Sequence, residues 1–423
     1  MKNIYLNILS LINVGLGFIF ILALGQKLGL GAQTDVYFFG LVFITYLETF
    51  VNITWFAIKH YYAELRIQDK KSLNSIYVTL LNNIIVSSLI IVFFYFLATN
   101  YFDFMPPKYK AFLDVFIYYL VIKSLMSYNK NILNLEQKYA SVYLVNIFVY
   151  AVNLLAVIFL MEESVMILAY TTIASSSLVV IWQLKKIFDL NNFKYELVFY
   201  EKNVFREIFT SSLKLNFGTI LYNSKDIAIA AVFAGFASGT YSLYSYANKF
   251  VGVITAVVTG PIEVVYNAKI SHTIAKKEFK KAAKNLLETL SLTSTLFFLS
   301  GLATYFIMPI ILEFMLGNNI SGNDMDIIQY LFMLLAVYNF LKVIELPYKK
   351  VLNLFKFFNF SIYINIIYFF IVVVGYVLSK SGDLNYTYIL FFIIIGQLVK
   401  VCLSLYKYRN SMHKNYIVGG ANK

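Results

Sequence analysis

Residues Gly29–Lys71 read GLGAQTDVYFFGLVFITYLETFVNITWFAIKHYYAELRIQDKK. A Gly-containing turn leads into about two dozen mostly apolar residues, followed by a basic tail. The same outline returns at Gly235–Lys277, GFASGTYSLYSYANKFVGVITAVVTGPIEVVYNAKISHTIAKK. The endings align as YYAEL (Tyr61–Leu65) with YNAKI (Tyr266–Ile270), and Lys70-Lys71 falls opposite Lys276-Lys277. The shift is 205 to 206 residues, about half of the 423. Duplicated sets of membrane helices are a pattern of transporters.

Working outward, the whole chain has the composition of a lipid-embedded protein. Apolar residues make up 60% and charged residues 13%, against roughly 25% charge in a soluble domain. Forty Phe and 35 Tyr exceed what a water-soluble core of this size can hide. The formal charge of +13 does not indicate nucleic acid, because the basic residues lie between apolar segments, where they orient helices. One Cys (Cys402) excludes an internal disulfide framework. With three His and one Cys, no metal site and no cofactor is expected.

Windows of about 20 apolar residues span the hydrocarbon. Twelve are expected: Tyr5–Leu24, Thr34–Ala57, Ser75–Leu97, Phe112–Met126, Tyr139–Met161, Val165–Leu184, Phe209–Ala234, Thr240–Val264, Leu286–Leu312, Ile327–Leu346, Phe357–Leu378 and Thr387–Tyr406. The first is read as a transmembrane helix, not a signal peptide. The fourth is interrupted in its lower part by Lys123 and Lys130. Connections then alternate in charge: one side receives 25 basic residues and the other 4 (Lys27, Lys108, Lys110 and Lys380). This asymmetry predicts an even helix count with both termini in the cytoplasm.

The fold class expected is therefore all-α and polytopic, with two parallel six-helix lobes around a central cavity. The division is 1–186 for the first lobe, 187–207 for a cytoplasmic linker, 208–406 for the second lobe and 407–423 for a tail. A second echo supports the repeat: Lys123…Tyr128-Asn-Lys130…Leu133-Asn134-Leu135 resembles Lys342…Tyr348-Lys-Lys350…Leu352-Asn353-Leu354, shifted by 219 to 220.

Six lysines fall inside spans: Lys123, Lys214, Lys225, Lys249, Lys342 and Lys400. Glu48, Asp226 and Glu345 are the acids well inside them. A Lys at mid-membrane costs roughly 2.5–3.5 kcal/mol on insertion scales, so each needs a partner, a wet cavity or an escape route. Lys214 and Lys400 are close enough to the cytoplasmic end to snorkel. Lys123 and Lys342 occupy matching places in the two halves; Lys342 is also placed to pair with Glu345. Lys225 and Lys249 are deepest. Polar stripes accompany these charges: Thr45, Glu48, Thr49 and Asn52 in the second span, Asn216, Thr219, Asn223 and Asp226 in the seventh, and Ser242, Ser245, Asn248 and Lys249 in the eighth. Stripes at helical period face protein or water. Two readings stand: interhelical bonding, including a Lys249–Asp226 or Lys249–Glu48 pair, or a cationic cavity for an anionic solute such as a diphosphate. Asp35 is read as a helix cap.

No phosphate loop, HExxH or Ser/Cys–His nucleophile is present, so no catalytic residue and no enzyme activity is expected. The outer loops are short, which disfavours a membrane glycan polymerase or ligase. A drug exporter should carry an acidic or aromatic cavity, whereas the deep charges here are mostly Lys.

Asp226, an apolar run and then Gly239-Thr-Tyr241-Ser-Leu-Tyr-Ser-Tyr246-Ala-Asn-Lys249 resemble the seventh and eighth helices of bacterial polysaccharide flippases. Gly31-Ala-x-Thr34-Asp35-x-Tyr37-Phe38 is similar to the second-helix opening of lipid II flippases. Both belong to the multidrug/oligosaccharidyl-lipid/polysaccharide exporter superfamily. The resemblance implies flipping of a polyprenyl-diphosphate-linked oligosaccharide to the outer leaflet, with membrane lipids and glycan-assembly proteins as partners. Chain length and an uncharged first span favour the O-antigen or capsule-type branch over the lipid II alternative. Lys225, Lys249, Lys123 and Lys342 are then expected to bind the diphosphate. Glu48, Asp226 and Glu345 balance charge or couple to H+ or Na+. Thr45, Asn52, Asn216, Asn223 and Asn248 line the polar path.

Overall fold

In a computed structural model, the described residues are 2–52, 70–102, 107–161, 164–191, 193–197, 202–276, 278–355, 357–381 and 386–420. Residues 53–69 of the opening stretch, with Lys59, His60 and Arg66, lie outside them. Among the described residues there is no strand. The helices are α1 (Lys2–Leu28), α2 (Ala32–Val51), α3 (Lys70–Tyr101), α4 (Pro107–Phe116), α5 (Tyr119–Leu135), α6 (Tyr139–Phe159), α7 (Met166–Asn191), α8 (Lys202–Phe233), α9 (Thr240–Ile254), α10 (Gly260–Ala275), α11 (Phe279–Leu316), α12 (Gly322–Leu354), α13 (Phe358–Lys380) and α14 (Thr387–Gly420).

Each of the twelve windows meets a helix or a helix pair. Nine described helices are long and apolar enough to cross a membrane, and α4 with α5, bent by 51°, makes a tenth. The two remaining windows differ for visible reasons. Helix α8 carries Lys214, Lys225 and Asp226 among several Asn and Ser. Helix α9 has 15 residues before a π-helical turn, Thr255–Thr259, passes the chain on to α10, and 15 residues rise only about 22 Å against ~30 Å of hydrocarbon. The chain is a multi-pass membrane protein. Phe306 at 65% and Phe314 at 85% exposure on α11 fit a lipid solvent and would be costly in water. Helix α11 has 38 residues, roughly 57 Å, and its surplus end carries Lys281–Glu278 and Lys284–Glu288 pairs.

The fourth window is not broken where its lysines stand. Lys123 and Lys130 lie within the continuous α5, and the bend comes earlier, at residues 117–118. There Tyr118 N–H turns to the Val115 carbonyl and Leu120 N–H to Ile117, the i→i+3 pattern of a tightened turn. Aromatic packing holds α4 in place. Phe112 and Phe116 stack at 4.9 Å and Phe39 meets Tyr109 at 4.7 Å. Gly40 makes this approach possible, since a Cβ there would stand 2.6 Å from Phe112 Cε1.

The chain divides into two compact units, Met1–Ile220 and Leu221–Lys423. In the first, α1 packs along α6, and α7 packs on α5 and α6. In the second, α14 packs on both α12 and α13, and α9 on α12. The reading of Asp35 as a cap is corrected. The helix starts earlier, with Gly31 as its N-cap residue, and Asp35 lies fully buried in the first turn. Its negative charge suits the positive helix end.

Candidate functional site

The first unit gathers five of the expected residues: Thr45, Glu48 and Asn52 near α2, Lys123 on α5 and Asn216 midway along α8. The α2 stripe points Thr45, Glu48 and Asn52 along one side, because positions three or four apart share a helix face. Lys123, on α5, donates to Thr45 Oγ1 at 2.5 Å and lies 3.3 Å from Glu48 Oε2. Asn52 Nδ2 donates to the other carboxylate oxygen at 3.1 Å. Asn216 Nδ2 donates to the Asn52 backbone carbonyl at 3.4 Å. Glu48 is thus held at both oxygens by residues of its own unit. Lys123, expected to be a free diphosphate ligand, has a carboxylate partner.

In the second unit, two charged groups lie around tyrosines. Lys225 Nζ is 2.5 Å from Asp226 Oδ1, and the expected Lys249–Asp226 pair is replaced by this one between chain neighbours. Lys225 is buried, whereas the Asp226 side chain is 45% exposed. Lys225 also lies 5.0 Å from the Tyr222 ring centre, and Tyr222 and Tyr338 join hydroxyls at 2.6 Å.

The second group was missed in the sequence. Lys400 does not snorkel: it is 2% exposed, with its Nζ 3.5 Å from Glu345 Oε1. Gln397 Nε2 donates to Glu345 Oε2 at 2.7 Å. The ammonium stands 4.0 Å from the centre of the Tyr222 ring and 5.1 Å from that of Tyr368, the cation–π arrangement of a desolvated cation. Gly396 creates the space. A Cβ there would lie 2.8 Å from Tyr368 Cδ2, so the ring lies flat against α14 one turn before Lys400. Glu345 therefore serves Lys400, where the sequence had offered it Lys342.

A recess of about 110 Å³ opens beside the first group. Lys225, Asp226, Asn248, Tyr338, Asn339 and Lys342 supply its polar lining, and Leu335, Leu390 and Ile394 supply part of its apolar wall. Asn339 was not foreseen, although it lies three residues before Lys342 on the same face. Lys249 is half-buried and makes no ion pair among the described residues. Asn223 is half-buried on α8 and does not line the recess. The Lys214 side chain lies outside the described residues. Among the described residues, no cluster of His, Cys, Asp and Glu is arranged to hold a metal.

One rule connects these observations: Glu48, Asp226 and Glu345, the three deep acids, each have a lysine within their own unit. Chemically, the acids neutralise Lys123, Lys225 and Lys400 in place. Lys342 is set in the recess, and Lys249 lies outside these three pairs.

No protein-family model and no curated protein matches the sequence. The fold does have solved counterparts. A multidrug resistance MATE family transporter of the MOP superfamily, in an inward-facing conformation, superposes with a TM-score of 0.76 at 12% identity, covering 96% of this chain and 95% of its own. The lipid II flippase MurJ in an inward closed conformation gives 0.75 at 16% identity, covering 98% of this chain and 90% of MurJ. A MOP superfamily transporter from Pyrococcus furiosus, described as having a binding pocket of reverse polarity, gives 0.70 at 15% identity over 98% and 96%. The polytopic all-helical fold is the one these transporters share.

Proposed function

We propose that the protein is a flippase that moves a polyprenyl-diphosphate-linked oligosaccharide from the cytoplasmic to the outer leaflet by alternating access. The observation that carries this reading is the recess of the second unit. It sets Lys225 and Lys342 with two Asn amides inside a bundle of apolar helices, where a charge is retained only for a purpose. Likeness in fold to lipid and drug transporters adds to it. In this reading Lys342 and Lys249 attract the diphosphate, Lys225 joins them when Asp226 takes up a proton or Na+, and Lys123 with Glu48 forms a neutral polar step in the first unit. Asp226, the exposed partner of Lys225, is the acid positioned to exchange a proton or Na+. Glu345, enclosed by Lys400 and Gln397, balances charge. In this reading the lysine-rich connections face the cytoplasm, with both termini on that side of a bacterial inner membrane.

A second reading, transport of lipid II, is favoured by the likeness to MurJ. The two separate in a deletion strain: lipid-linked oligosaccharide accumulates under the first and lipid II under the second. Lys249→Ala should abolish surface glycan display, by tenfold or more, while the protein remains in the membrane at its normal level. Normal display in that variant refutes the role given to Lys249.

A further inference from the structure

The first unit carries a second, chemically different feature on its outside. A groove of about 560 Å³ runs between α6 and α7, lined entirely by apolar side chains that include Leu144, Phe148, Ala151, Leu178, Val179 and Trp182. Val145 and Val179 pack onto Met126 of α5, which closes the floor. The groove is therefore one-sided and opens away from the unit. Leu144, Phe148, Leu178 and Trp182 are each more than 40% exposed along it.

One end is closed by charge. Lys186, one turn beyond Trp182, lies 4.7 Å from the Trp ring centre and donates to Ser141 of α6 at 2.5 Å. Lys138, at the start of α6, is near enough to repel the Lys186 ammonium. Lys186 makes no ion pair among the described residues. Two like charges thus lie near the Trp182 end of an apolar groove, one of them bonded to a hydroxyl, and an anion there would relieve the repulsion. From Leu144 to Ala151 the wall rises about 10 Å, most of the ~15 Å depth of one leaflet.

We infer that this groove is a binding site for an anionic phospholipid, with one acyl chain against Phe148 and Ala151 and the phosphate against Lys186, Lys138 and Ser141. Charge complementarity selects the occupant. A zwitterionic lipid fills the groove as well, but its cationic headgroup offsets the attraction to both lysines. The polyprenyl substrate needs a path that releases it, whereas a closed-ended groove on the outside of one unit retains what it holds.

Native mass spectrometry of the purified full chain tests this, with phosphatidylglycerol and phosphatidylcholine of identical chains added at equal concentration. Two lysines near the membrane surface predict a preference for phosphatidylglycerol of roughly tenfold or more. K138Q/K186Q should reduce the ratio to about one while lipid remains bound. A151F should fill the groove and expel both lipids. Equal retention of the two lipids by the wild type overturns the proposal, and so does undiminished retention by a folded A151F. A photoactivatable phosphatidylglycerol gives an answer that needs no variant: crosslinks should concentrate on α6 and α7, and crosslinks elsewhere refute the site.

Discussion

Replacing Glu345 with Gln should destabilise the second unit more than any other single change to a charged residue. Lys400 is 2% exposed and pairs with the Glu345 carboxylate, 3.5 Å away. Removing one member of a buried pair leaves the other charge stranded, at a cost of about 3–5 kcal/mol. The Tyr222 and Tyr368 faces, at 4.0 and 5.1 Å, continue to hold the cation and return about 0.5–2 kcal/mol, so the low end, about 3 kcal/mol, is expected. For a unit of this size each kcal/mol moves the midpoint by about 2–4 °C, giving a fall of roughly 6–12 °C. Thermal unfolding in detergent, followed by circular dichroism, measures it. The companion variant E345Q/K400M removes both charges and should recover most of the loss, because replacing a whole buried pair by neutral groups is often neutral or stabilising. A single variant as stable as the wild type, or a double variant no better than the single, would falsify the assignment of the pair.

Two other changes probe the first unit. Gly40→Val places carbon within 3 Å of Phe112 and should cost about 1–3 kcal/mol through overpacking; an unchanged unfolding midpoint would show that α2 and α4 do not meet as described. Lys123→Met leaves Glu48 with Asn52 alone and should cost about 1–3 kcal/mol, less than the Glu345 change because this pair is more exposed. Glu48→Gln in the same protein should restore the midpoint, and failure to do so would disconnect the two residues.

Much of the fold was legible because lipid imposes a coarse rule: about 20 apolar residues per crossing and basic residues kept to one side. That rule placed α1, α6 and α13 without reference to what they touch. Pairing among the deep charges was not legible, because it depends on which helices become neighbours. Glu48 was offered Lys249 in one reading of the stripes, and the packing of α5 beside α2 gives it Lys123. Lys400 misled for a different reason. Its depth was measured to the end of the apolar window at Tyr406, but α14 continues to Gly420, and its stem ends among the Tyr222 and Tyr368 rings. The recess was half legible: Asp226 and Asn248 were named from stripes and Lys342 from the repeat, while Tyr338 and Asn339 lie on a helix whose polar side was not read.

The acid–lysine pairs also set an order of events during synthesis. Asp226 and Lys225 are adjacent, so α8 enters the bilayer with its two charges already compensating one another. Glu48 has no such help: Lys123 follows it by ~75 residues, roughly 4–15 s of translation at ~5–20 residues per second. Through that interval α2 holds an uncompensated carboxylate, relieved only by Asn52 and by whatever the insertion machinery provides. Glu345 waits in the same way for Lys400, near the end of the chain. A ribosome stalled between Glu48 and Lys123 should therefore leave α2 readily extracted from the membrane, and release past Lys123 should anchor it.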